Sequence, residues 1–82
     1  MQNKEYITKL KRRRQAAGLS QSQLAEKADV NVRMIQHYEQ GAKPIDKAQI
    51  GTVIRLAAAL DCSIADILEG WQLVVLAKKL NK

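Results

Sequence analysis

The sequence has no phenylalanine, and only one proline, one cysteine and four glycines in 82 residues. No stretch alternates β-branched or aromatic residues with polar ones, so nothing reads as a strand. The lone Cys62 has no partner for an internal disulfide. One cysteine and one histidine make no metal set, so no metal and no cofactor are expected. There is no run of about 20 apolar residues of the kind that spans a membrane. Residues 1–5 lack the apolar stretch of a signal peptide. Together these absences point to a reducing cytoplasm. No glycine-rich phosphate loop follows a strand, and no nucleophile has a base beside it. The chain therefore does not read as an enzyme.

What is present is apolar content and positive charge. Apolar residues make up 46 % of the chain, enough for one small core. The formal net charge is +6, which favours nucleic acid, anionic lipid or acidic protein as partner. Lys9, Lys11, Arg12, Arg13 and Arg14 crowd the first part of the chain, whereas the second half is nearly balanced. Such a run is by itself more often a solvated helix face than a binding surface.

Helices are the consistent reading. The first is expected over residues 4–17, with Ile7, Leu10 and Ala17 near one face and Gly18 ending it in a left-handed conformation. Ser20, with Gln23 three residues on, has the spacing of a capping box and opens a second helix over 21–28. Its inner face is Leu24, Ala25 and Ala28. Asp29-Val30-Asn31 breaks the pattern, and Asn31 can cap a third helix over 32–40. Gly41 stops that helix and Pro44 bars its continuation. A fourth is expected over 47–60, capped by Asp46, with Ile50, Val53, Ile54, Ala57 and Leu60 inward. Gly51 inside it implies close packing by a neighbour. Ser63 and Asp66 repeat the capping-box spacing and open a short fifth helix, with Ile64, Ile67 and Leu68 facing in. The apolar residues of the tail, Leu73, Val74, Leu76, Ala77 and Leu80, suit a further helix.

The informative stretch is 21–40: a short helix, a three-residue turn and another short helix. Helices this short do not stand alone and must brace each other. Ala25 sits where the backbones approach, and Ile35 points back onto the first helix. The outer face of the second then carries Val32, Arg33, Gln36 and His37, polar except for Val32, which is the layout of a recognition helix.

Gly18-Leu19-Ser20-Gln21-Ser22-Gln23-Leu24-Ala25-Glu26-Lys27-Ala28, followed by Ile35-Gln36-His37-Tyr38-Glu39-Gln40-Gly41, resembles the lambda-repressor-like helix-turn-helix family, also called the XRE or Cro/C1 type. The stretch 56–68 resembles the family's fourth and fifth helices. The likeness covers roughly residues 6–69, leaving the tail outside it. It implies an all-α, compact five-helix bundle in residues 1–69, with residues 70–82 as an added tail. It also implies sequence-specific binding of double-stranded DNA by a transcriptional regulator. Val32, Arg33, Gln36 and His37 would face base edges in the major groove, with Val32 suited to a thymine methyl. Gln21, Asn31 and Lys43 would hold the DNA backbone. Arg14 and Glu39 resemble an ion pair that ties the first helix to the third. Asp29 stands where the family's turn often carries glycine.

Cys62 falls at a small apolar position of the family and is expected as a buried thiol. A homodimer on a palindromic site is the expected assembly. The alternative is an antitoxin-type or other protein-interaction module that holds a partner protein through Trp71–Leu80. Binding to an anionic membrane through the basic first helix is disfavoured, because that helix offers no large exposed apolar face.

Overall fold

The structure, a computed structural model, describes residues 7–70. Four α-helices and two single 3₁₀ turns follow one another: α1 (Lys9–Ala16), α2 (Gln21–Ala28), α3 (Val32–Gln40), the turn Ile45–Lys47, α4 (Ile50–Ala59) and the turn Ile64–Asp66. There is no strand among the described residues. None of these helices is long and apolar enough to cross a membrane. The expected tail helix lies outside the described residues.

Each helix is too short to persist by propensity, so packing holds it. Leu10, Leu24, Ile35, Leu56 and Ile67 are fully buried and join the elements in one core. α2 lies at the middle, packed on α3 and on α4. Its small buried residues Ala25 and Ala28 allow the close approach that the sequence required.

The helix ends follow local chemistry where the signals are strong. The Ser20 hydroxyl accepts from the Gln23 N–H at 3.0 Å, and the Gln23 side chain accepts from the Ser20 N–H at 2.8 Å. This reciprocal box starts α2 as expected. Asn31 accepts from the Arg33 N–H at 2.7 Å and starts α3. Gly41, at φ 79°, ends it. Asp29 closes α2 in the left-handed conformation at φ 58°, a mildly strained place for a residue with a Cβ.

Several expectations are corrected. α1 begins at Lys9, not at residue 4: Thr8 is extended and caps it, its hydroxyl accepting from the Lys11 N–H at 3.2 Å. Its buried face is Leu10 and Arg14, while Ile7 and Ala17 are exposed. α4 begins at Ile50, and Asp46 does not cap it. Instead the Asp46 carboxylate accepts from the backbone N–H groups of Glu69 at 2.7 Å and Gly70 at 3.1 Å. Of the expected inner face of α4, Val53, Ala57 and Leu60 are buried, joined by Thr52, Leu56 and Ala59, while Ile50 is 64 % and Ile54 49 % exposed. Seven of the ten residues of α4 are apolar, so two different stripes fit its sequence and packing on α2 selects one. No neighbour crowds Gly51; a Cβ there would meet only the flexible Arg55 side chain, at 3.6 Å. In place of a fifth helix there is the turn Ile64–Asp66, which still buries Ile67 and packs Ile64 and Leu68 against the core. Cys62 is half-buried against the core rather than enclosed by it.

Candidate nucleic-acid interface

The α3 sequence decides which side chains can meet a partner. Ile35, Tyr38 and Glu39 are buried and lie on one side of the helix. At about 100° per residue the opposite side carries Arg33, His37 and Gln40, with Gln36 next to them. Arg33 and Gln40 are exposed; Gln36 and His37 are half-buried. Val32 and Met34 fall on the two flanks. Val32 packs partly on the core, so only its edge is open, and Met34 is 36 % exposed. The expected set Val32, Arg33, Gln36 and His37 is therefore on one element, but Val32 stands at its border. Gln40 and Met34 complete the surface. The sequence reasoning passed over both, although the helical period applied to Gln40 would have found it.

Beneath this surface a buried polar network fixes the angle between helices. The Arg14 guanidinium grips the Glu39 carboxylate with two bonds, Nε to Oε2 at 2.7 Å and Nη2 to Oε1 at 3.0 Å. A third nitrogen, Nη1, donates to the Leu19 carbonyl at 2.8 Å. The Gln21 amide also donates to Glu39 Oε1, at 3.0 Å. One carboxylate from α3 thus holds α1 and the first residue of α2. A planar guanidinium suits this role because its donors form a rigid fork. Gln21 is consequently held in place, with one amide N–H still to offer. Asn31 spends its oxygen on the Arg33 cap and keeps its amide nitrogen.

The basic run of α1 divides in two. Arg13 meets Asp66 at 3.3 Å, and Lys9 Nζ donates to the Ala65 carbonyl at 2.9 Å. These two residues hold the Ile64–Asp66 turn. Lys11 and Arg12 lie off that contact, half-buried and exposed respectively. Asp66 accepts from both the Ser63 N–H and the Ser63 hydroxyl at 2.9 Å. Those bonds, and then the charges of Arg13 and Lys9, hold its carboxyl below the usual range. Lys43 is exposed on the loop between α3 and the Ile45–Lys47 turn. The loop is shaped by the end of α3, where the His37 carbonyl accepts from the Ala42 N–H at 2.9 Å and the Lys43 N–H at 3.3 Å.

The geometry is that of a short helix presented by a second helix, with cations beside it. Comparison with known proteins agrees. The helix-turn-helix family profile matches residues 10–67. An uncharacterized HTH-type transcriptional regulator of Rickettsia conorii is 42 % identical over 57 residues, covering 70 % of this chain and 43 % of that protein. Another from Rickettsia prowazekii is 42 % identical over 57 residues, covering 70 % of this chain and 42 % of that protein. The match thus spans well under half of either relative's length. No solved structure matches the chain.

Proposed function

Because the chain belongs to the helix-turn-helix family of the lambda-repressor-like kind, we propose that it is a transcriptional regulator that binds double-stranded DNA sequence-specifically, reading the major groove with α3. The observation that carries this reading is the division of α3 into a face locked by Ile35, Tyr38 and Glu39 and an outer face of Arg33, Gln36, His37 and Gln40. A helix so braced can enter a groove without losing its own support. The names of the Rickettsia relatives, HTH-type transcriptional regulators, support regulation of transcription as the setting.

In this reading Arg33 is the principal base reader, through its fork to guanine. His37, one turn on, reads a neighbouring base, and Gln36 and the open edge of Val32 border them. Gln21, with its free amide N–H, Asn31 and Lys43 hold phosphates and set register. Lys11 and Arg12 add charge from α1. A homodimer on a palindromic site is supported by the ridge Ile50, Ile54 and Ala58, which runs along the exposed side of α4. The protein-interaction alternative rests on Trp71–Leu80, outside the described residues, and nothing in the fold favours it.

Selection of bound sites from a random duplex library tests the proposal. The expected result is one enriched half-site repeated with two-fold symmetry. On that site Arg33→Ala should weaken binding by roughly 1–3 kcal/mol and relax one base position. No enrichment over the input library would overturn it.

A further inference from the structure

Two apolar side chains reach the open part of α3, Val32 and Met34, and the fold treats them differently. Val32 is half-buried and packs partly on the core, so most of its branched side chain already has partners. Met34 is 36 % exposed. We propose that Met34 is the apolar base reader of α3, set against the methyl group of a thymine in the major groove. The role rests on the DNA reading proposed above and gives a base to a side chain which that reading left without one.

Position is the first argument. The next residue, Ile35, is fully buried and fixes the rotation of α3 at this point. The Met34 N–H donates to the Asn31 carbonyl at 3.0 Å, so the helix is closed from its first turn. At about 100° per residue, Met34 stands about 90° from the middle of the outer face, and Val32 about 115°. Met34 is the third residue of α3, whereas Gln40 is the last. The first residues of a recognition helix are the ones that meet base edges. Along the axis Met34 is about 1.5 Å from Arg33, less than the spacing of about 3.4 Å between base pairs. A G·C pair read by Arg33 has no thymine, so the methyl contact falls to an adjoining pair.

Chemistry is the second. Among the four bases only thymine places a methyl group in the major groove. Arg33 suits guanine and Gln36 suits adenine, and neither matches that methyl. The unbranched methionine chain has three rotatable bonds and a polarizable thioether, so it can turn from the flank of the helix to the groove floor and pack there. Valine is stiff at χ1 and short, and the core holds it further round the helix. The contact involves no charge, which separates it from the phosphate contacts of Lys43.

Site selection with the full chain first gives the half-site. Each thymine of that half-site is then replaced by deoxyuridine, which keeps the base pair and lacks the methyl group, and binding is measured by fluorescence anisotropy. In the parent, one replacement should weaken binding roughly fourfold, the loss of one buried methyl group. It should fall at a pair adjoining the one whose preference Arg33→Ala relaxes. Met34→Ala should bind the thymine and deoxyuridine sites alike, with its helical circular dichroism and its salt dependence unchanged. Met34→Leu and Val32→Ala should both keep the penalty. An equal penalty in the parent and in Met34→Ala overturns the proposal. So does a penalty lost in Val32→Ala and kept in Met34→Ala, which would give the methyl to Val32. So does a selected half-site with no thymine beside the pair read by Arg33. In each of these cases the chain still selects a site, so the DNA reading stands; no enrichment from the random library would overturn both.

Discussion

Removing the Glu39 carboxylate tests whether the buried network holds the helices at their angle. The Arg14 and Glu39 side chains are only 10 % and 2 % exposed, and two short bonds join them. Glu39→Ala would leave a guanidinium in a dry site, held only by the Leu19 carbonyl, and would free the Gln21 amide. Breaking one partner of a buried pair costs about 3–5 kcal/mol. An exposed pair would cost about 0–1 kcal/mol. For a domain of this size each kcal/mol lowers Tm by about 4–8 °C, so a fall on the order of 20 °C is expected. Arg14→Met alone should be similarly harmful, because it strands the carboxylate. Combining Arg14→Met with Glu39→Leu should recover much of the loss, short of the bond to Leu19. Urea denaturation of the parent and the three variants, followed by circular dichroism, compares the losses. A loss below about 1 kcal/mol for Glu39→Ala would refute the reasoning, since the pair would then behave as a solvated one.

Other perturbations separate the remaining contacts. With about three to five phosphate contacts per subunit, and so about six to ten for the dimer, affinity for duplex DNA should fall about 10³–10⁵-fold between 50 and 200 mM salt, measured by fluorescence anisotropy. Lys43→Ala should weaken all duplexes alike and flatten that salt slope, whereas Arg33→Ala should weaken the selected site most. The lowered carboxyl of Asp66 adds stability that is present above the ordinary carboxylate range near pH 4 and is lost as pH falls through its lower folded value; acid titration of Asp66→Asn should show that part of the decline missing. Asp29→Gly removes the Cβ from a left-handed helix end and should raise stability by up to about 1 kcal/mol in urea melts. Burial raises the Cys62 thiol, so alkylation at neutral pH should be slower in the folded chain than in the unfolded one.

What could be read in the sequence was whatever depends on neighbours along the chain. Ser20 with Gln23, Asn31 and Gly41 set the limits of α2 and α3, because caps and left-handed stops act within a few residues. The Ile35 and Tyr38 spacing then gave the buried face of α3, and with it the opposite side that carries exposed Arg33 and half-buried His37. The fourth helix was ambiguous for a physical reason. With apolar side chains on most of its surface, its face is chosen by packing on α2, which no local signal records. Asp46 misled in the same way: its position before a helix suggested a cap, yet its partners are 23 and 24 residues away. Likewise nothing local marks Lys9 and Arg13 as holding the last turn while Lys11 and Arg12 do not. The ion pair of Arg14 with Glu39 came from family resemblance, since composition shows only one more basic residue in a basic run.

The bonds around Glu69 have a consequence for how the molecule opens. The Lys9 N–H, in the first turn of α1, donates to the Glu69 carboxylate at 3.0 Å, while the Glu69 and Gly70 N–H groups are held by Asp46. The earliest helix and the end of the described chain thus share one fastening with the Ile45–Lys47 turn. Loosening it frays the start of α1, residues 69–70 and the Ile45–Lys47 turn together, while Leu10 and the Arg14–Glu39 pair keep the rest of α1 on the core. In native-state hydrogen exchange these segments should therefore behave as one cooperative unit of low opening energy. The amides of α2 and α3 should exchange only when the whole core comes apart. The part proposed to meet DNA would then keep its shape through fluctuations that transiently undo this one fastening.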